Sequence, residues 1–80
     1  MLVIDASVLA NIVGDDGPDG TTARALTRGR ADLAVPDLAN VETVAVLRKR
    51  WLARTMTDDR LADAVADLTA LPLLQFPTRP

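Results

Sequence analysis

The sequence predicts an α/β domain: a parallel sheet with flanking helices, in the order β-α-α-β-α-α-β. Three observations predict it. Short aliphatic runs alternate with stretches of helical periodicity, which argues for parallel strands with helices packed on them. The chain opens on a continuous apolar run, as a central strand of a parallel sheet would. Turn-forming residues punctuate the runs at helix spacing.

Leu2-Val3-Ile4 reads as the first strand. Ala6 to Val13 reads as a short helix with Val8, Leu9, Ile12 and Val13 on one face. Gly14 to Gly20 holds three glycines, three aspartates and a proline, and reads as a loop. Asp19 or Thr21 would cap a second helix running to about Arg28, closed by Gly29. Asp32 to Val35 is the second strand, ended by Pro36. Asp37 would cap a long helix to about Arg54, and Thr57 another to Leu71. In that last helix Leu61, Val65, Leu68 and Leu71 form the buried stripe, and Asp59, Asp63 and Asp67 the wet one. Pro72 breaks it, Leu73 to Phe76 is the third strand, and Thr78 to Pro80 begins a further connection.

Eighty residues make a single small domain over 1–80, of modest stability. With one Trp, one Phe and no Tyr, its core is built from Ala, Val and Leu. The absence of Cys excludes disulfides and thiolate chemistry, and the absence of His excludes Ser-His-Asp triads and imidazole ligands. Any chemistry falls to carboxylates, hydroxyls, amides, Lys/Arg or a bound ion. Oxygen ligands point to Mg²⁺ or Mn²⁺. A net charge of −2 argues against binding nucleic acid by bulk electrostatics, though not against a local basic patch. The longest uncharged stretch, Leu68 to Thr78, is too short and too Pro-interrupted to span a bilayer, and the N-terminus lacks a basic leader. A soluble cytoplasmic protein with no membrane partner is expected.

Two acids stand where the pattern wants a hydrophobe or a solvent-facing polar group. Asp5 follows the first strand, at the end where ligands gather in such sheets. It reads equally as a metal ligand or as the N-cap of the next helix. Ser7 could orient a metal-bound water or cap the same helix. Asn11, one turn on, shares that face, but reads more simply as an exposed amide. Glu42 is the only charge between Asp37 and Arg48, with Leu38, Ala45 and Val46 at helical spacing around it. A lone carboxylate in apolar company is costly unless paired, so a functional reading leads; its rival is a first-turn acid favoured by the helix dipole. Arg48, Lys49, Arg50 and Arg54 surround Trp51 as a possible RNA or partner contact, or as cations suited to a helix C-terminus with Trp51 in the core. Arg24 and Arg28 read as a solvated face. Gly14, Gly17 and Gly20 have the wrong spacing for a dinucleotide loop.

Four segments together resemble a PIN domain, in particular the VapC-type toxins. These are Val3-Ile4-Asp5-Ala6-Ser7-Val8-Leu9, Leu33 to Leu38, the Asn40-Val41-Glu42 stretch through Leu47, and Leu71 to Pro77. The resemblance is collinear over essentially the whole chain. It implies a metal-dependent endoribonuclease of a type II toxin–antitoxin pair. Asp5 and Glu42 match the first two acids that hold Mg²⁺ or Mn²⁺ for hydrolysis, and Ser7 matches the small hydroxyl residue beside the first. It also implies an RNA substrate, a cognate antitoxin, and a homo-oligomer or antitoxin complex. The family's later acids would lie past Pro80, so by resemblance the chain is an incomplete PIN-like domain and a poor nuclease. A non-catalytic module binding antitoxin or toxin is the alternative. A haloacid-dehalogenase-like phosphatase is weaker, because Ser7 stands where its second Asp is needed.

Overall fold

The computed structural model describes residues 1–77. Its strands β1 (Leu2–Val3), β2 (Leu33–Pro36) and β3 (Leu74–Phe76) form one parallel sheet in that order. Among the described residues the connections carry four helices: α1 (Ala6–Gly14), α2 (Pro18–Thr27), α3 (Ala39–Leu52) and α4 (Asp58–Ala70). This is the α/β order expected. The expected connection at Thr78 to Pro80 lies outside the described residues.

The strand register aligns the carboxyl ends of the sheet. Leu2 pairs with Leu33, and Pro36 pairs with Phe76. The Ile4 N–H donates to the Ala34 carbonyl at 3.0 Å, and the Asp37 N–H to Phe76 at 2.8 Å. Continued two residues past Val3, this register sets Asp5 level with Pro36 and Phe76, so all three strands end at one carboxyl edge.

The opening run was expected in a central strand. Among the described residues β2 is central instead, and β1 lies at an edge with Val3 53% exposed. Leu2 and Ile4 turn towards the core while Val3 does not; Leu33, Ala34 and Val35 are buried on both faces of β2. Pro36 was expected to close β2 and is its last paired residue, where a missing N–H costs least.

The core joins Ile4 and Val35 of the sheet region to Leu9, Ala10 and Val13 of α1, Ala39 and Leu47 of α3, and Ala64 and Leu68 of α4. Helix α1 is the hub and packs against α2, α3 and α4. Ala10, Ala39 and Ala64 bring backbones close, while Leu9 and Leu47, both fully buried, supply bulk worth roughly 1.5–3 kcal/mol each.

Several boundaries differ from expectation. Helix α2 starts at Pro18, with Gly17 as N-cap, rather than behind Asp19 or Thr21. Proline at the first position loses an N–H that the helix could not use. Arg24, read as solvated, is part-buried: its Nη1 donates to the carbonyls of Asn11, Ile12 and Asp15 at 3.4, 3.1 and 2.8 Å. It thereby closes the C-terminus of α1, where a cation suits the helix dipole. Helix α3 takes Leu38, not Asp37, as N-cap, and that position makes no side-chain cap bond. Gly29, with φ 75°, ends α2 as expected, and Thr57 caps α4 through the Arg60 N–H at 3.1 Å.

Asp32 ties the start of β1 to β2. It accepts from Arg30 Nε and Nη2 at 3.0 and 2.8 Å and lies 3.1 Å from the Met1 amino group. The Arg30 hydrogen bond first, and then the terminal amine, hold its carboxyl down from 3.8 to about 2. A depressed carboxylate contributes stability that is complete above the unfolded value and lost as pH falls towards the folded one. Wild type and Asp32→Asn should therefore differ slightly in Tm at neutral pH. The difference should fade between the ordinary 3.8 and about 2. Thermal scans across that window check it.

Candidate active site

Asp5 is the N-cap of α1, with φ −97° and ψ 176°. One carboxylate oxygen accepts the Val8 N–H at 3.0 Å. The other makes no hydrogen bond among the described residues. The capping geometry is realised, and it leaves one oxygen of an exposed carboxylate uncommitted. Ser7 is exposed in the first turn of the same helix. Beside Asp5 a mainly apolar cleft of roughly 390 Å³ opens between Val3, Val8, Leu26 and Pro36.

Glu42 lies in the first turn of α3 and donates its N–H to the Leu38 carbonyl at 3.0 Å. The expectation of an acid among buried hydrophobes needs correction. Glu42 is exposed, and of the neighbours at helical spacing Leu38 and Ala45 are exposed with it, while Val46 is part-buried against the core; Val41 and Val44 are exposed as well. The buried stripe of α3 is Ala39, Thr43 and Leu47, one position round the helix. Because α1 follows β1 and α3 follows β2, Asp5 and Glu42 both sit at the carboxyl edge of the sheet, at the positive ends of two helices.

Asn11 is not drawn to that edge. Its Oδ1 accepts from Arg50 Nη2 at 2.7 Å, so it is a packed, bonded amide rather than an exposed one. Arg50 lies eight residues beyond Glu42, about 12 Å along the helix at 1.5 Å per residue. The basic cluster therefore belongs to the far end of α3, and it divides. Arg50 turns inward, while Arg48, Lys49 and Arg54 are exposed and unpaired among the described residues. Trp51, expected in the core, is half-buried at its rim, with Nε1 donating to Asp58 at 2.6 Å.

Arg54 carries a positive φ of 61°. Its N–H donates to Trp51 and that of Thr55 to Arg50, both at 3.0 Å, which closes α3 in the pattern where glycine is usual. Arg54→Gly should raise stability by about 1 kcal/mol by relieving the left-handed conformation. Urea unfolding measures it.

Two polar residues of α3 were given no role of their own by the sequence. Thr43 is fully buried, its hydroxyl donating to the Ala39 carbonyl at 2.6 Å. The spacing Ala39, Thr43, Leu47 signals that stripe. Asn40 holds a buried Oδ1 with no hydrogen-bond partner, two residues before Glu42. The sequence names it only within the stretch that carries Glu42, with no role of its own.

The donors exposed at this edge are all oxygen: the carboxylates of Asp5 and Glu42 and the hydroxyl of Ser7. That chemistry fits a hard divalent cation that keeps most of its water. Among the described residues no group of three or more acids is placed to hold a metal.

In a parallel α/β domain ligands gather at the carboxyl ends of the strands, and here that edge carries two acids. The comparison with protein families narrows the reading: the PIN domain model matches residues 2–78, and the chain belongs to that family, a nuclease family. This sets aside the phosphatase reading. No curated protein matches the chain. No helix among the described residues is long and apolar enough to cross a membrane.

Proposed function

We propose that this chain carries the first two acids of a Mg²⁺- or Mn²⁺-dependent endoribonuclease, the toxin of a type II toxin–antitoxin pair acting in the cytoplasm. The observation behind this reading is the placement of Asp5 and Glu42 at one edge of a PIN domain, each at a helix N-terminus. Asp5 and Glu42 would hold the ion, with Ser7 orienting water. The ion supplies a polarised water and neutralises charge at the phosphodiester. The hydrogen bond that Asp5 accepts from the Val8 N–H fixes its rotamer, and the first-turn amides of α1 and α3 favour an approaching phosphate. RNA is the proposed substrate; a cognate antitoxin and a second copy are the proposed partners.

Two carboxylates hold an ion loosely and fix an attacking water poorly, so turnover by this chain should be slow. The test is cleavage of a mixed RNA pool with Mn²⁺. Weak cleavage is expected, reduced on the order of 100-fold or more by Asp5→Asn or Glu42→Gln, as when a metal ligand is removed from a sparse site. Cleavage that persists without metal, or is indifferent to both substitutions, overturns the assignment. The absence of a three-acid group among the described residues favours a second reading, a binding module without turnover. Metal binding without cleavage would select it.

A further inference from the structure

Arg24, Arg30, Arg50 and Arg60 are already committed: carbonyls, Asp32, Asn11 and Asp16 hold them. Among the described residues Arg28, Arg48, Lys49 and Arg54 are exposed, with no hydrogen bond or ion pair. Position on α3 separates these free cations. Lys49 lies seven residues beyond Glu42, and a heptad brings a helix back to within about 20° of the same side. The separation along the axis is about 10 Å. Helical side chains lean towards the N-terminus, so the Lys49 stem covers part of that span in the direction of Glu42. Arg48, one residue earlier, is turned about 100° round the axis, onto the side of Val41 and Val44.

The side shared by Glu42 and Lys49 is the flank of α3 next to α1. Val46, beside that line, packs against the core, and Arg50 reaches Asn11 of α1 at 2.7 Å. Helix α1 is also the helix that Asp5 caps, so Lys49 and the two acids belong to one packed pair of helices. A strand with a phosphate at the acids, running down α3, comes level with Lys49 after about two nucleotides. At about a Debye length from Glu42 the ammonium scarcely neutralises that carboxylate, and it stays available to a second anion.

We propose that Lys49 holds a flanking phosphate of the RNA, and that its equally exposed neighbour Arg48 does not. The proposal rests on the ribonuclease reading above and adds the path by which the strand leaves the acids. A lysine ammonium is a compact point charge with three donors; it positions a phosphate and reads no base. Lying away from the reacting atoms, it binds ground state and transition state alike. It therefore strengthens binding without raising turnover. The contact releases counterions from the strand, so its effect fades as salt rises.

Fluorescence anisotropy of a labelled, mixed-sequence single-stranded RNA, without divalent metal, measures binding apart from cleavage. Lys49→Gln should weaken binding about 5-fold at low salt and lower the slope of log affinity against log salt by about 0.7, the share of one phosphate. Lys49→Arg should restore both. Arg48→Gln removes the same charge one residue away and should change affinity by less than about 2-fold, with the slope unchanged. In the Mn²⁺ cleavage assay Lys49→Gln should raise KM and leave kcat within about 2-fold. Both positions are exposed, and circular dichroism verifies the fold of each variant. Equal losses at Arg48 and Lys49 would mean diffuse attraction and overturn the inference. So would unchanged binding by Lys49→Gln; if Asp5→Asn still abolishes cleavage, the ribonuclease reading then stands without this contact. A wild type that binds no RNA removes both. Polyglutamate bound more tightly than RNA, with the same dependence on Lys49, would give the lysine to an acidic protein instead.

Discussion

Gly20→Ala should destabilise the domain by about 3 kcal/mol, the upper part of the range for forcing extra volume into a packed site. Gly20 is buried where α2 turns back on the end of α1. A Cβ there would run into the Asp15 carbonyl group, lying 2.7 Å from its carbon. Backbone cannot swing aside as a side chain can. That carbonyl oxygen is also held by Arg24 Nη1 at 2.8 Å, and the Asp15 carboxylate accepts the Gly17 N–H at 2.7 Å. Moving the obstacle therefore breaks bonds that close α1. For a domain this small the loss is a large share of the total, and at roughly 4–8 °C per kcal/mol it should lower Tm by more than 10 °C. Gly29→Ala is the internal comparison: a Cβ there meets nothing within 4 Å, and only the positive φ is strained. It should cost about 1 kcal/mol. Equal losses for the two variants in urea unfolding would show that the Asp15 turn yields.

That corner also marks where sequence reading stops. Gly14 to Gly20 announces a turn by composition, but composition does not say that α2 begins at Pro18, nor that Arg24 reaches back across the turn. Such a contact joins residues whose proximity is created by the fold. The legible parts were those written in local chemistry. Thr57 caps because its hydroxyl has nowhere better to go than the Arg60 N–H, and Gly29 ends α2 because φ 75° is open to glycine. The strand–helix alternation was legible because period and punctuation both encode it.

Less legible was what lies outside each element. An apolar run such as Leu2-Val3-Ile4 reads alike at the centre or edge of a sheet, because one-sided burial of a short strand needs only two inward residues. Glu42 misled in a similar way: apolar neighbours suggested burial, yet Leu38 and Ala45 are exposed beside it and only Val46 reaches the core. The acids themselves were legible as types in a pattern. Their common placement at the carboxyl edge emerges only once β1 and β2 are known to be parallel neighbours.

Asp5→Asn and Asp5→Ala should separate the two duties of this residue. As N-cap, Asp5 satisfies the Val8 N–H, and asparagine does so about as well. Asp5→Asn should therefore leave stability within a few tenths of a kcal/mol, the small change reflecting a lost charge at the positive end of α1. Asp5→Ala abandons the amide and should cost about 1 kcal/mol. Metal binding should obey a different order. Wild type should take Mn²⁺ with an affinity on the order of millimolar, as an oxygen site of few charged ligands does. Either substitution removes the charged oxygen and should weaken binding by about 10-fold or more, whatever happens to stability. Glu42→Gln should weaken it similarly, since it supplies the other carboxylate at the edge. Calorimetric titration beside thermal unfolding measures both quantities on the same samples. If Mn²⁺ binds wild type and the Asp5→Asn, Glu42→Gln double variant identically, Asp5 is a helix cap and the edge holds no metal. If affinity falls in Asp5→Asn while Tm holds, the carboxylate carries a charge that the fold does not need, and the metal is what uses it.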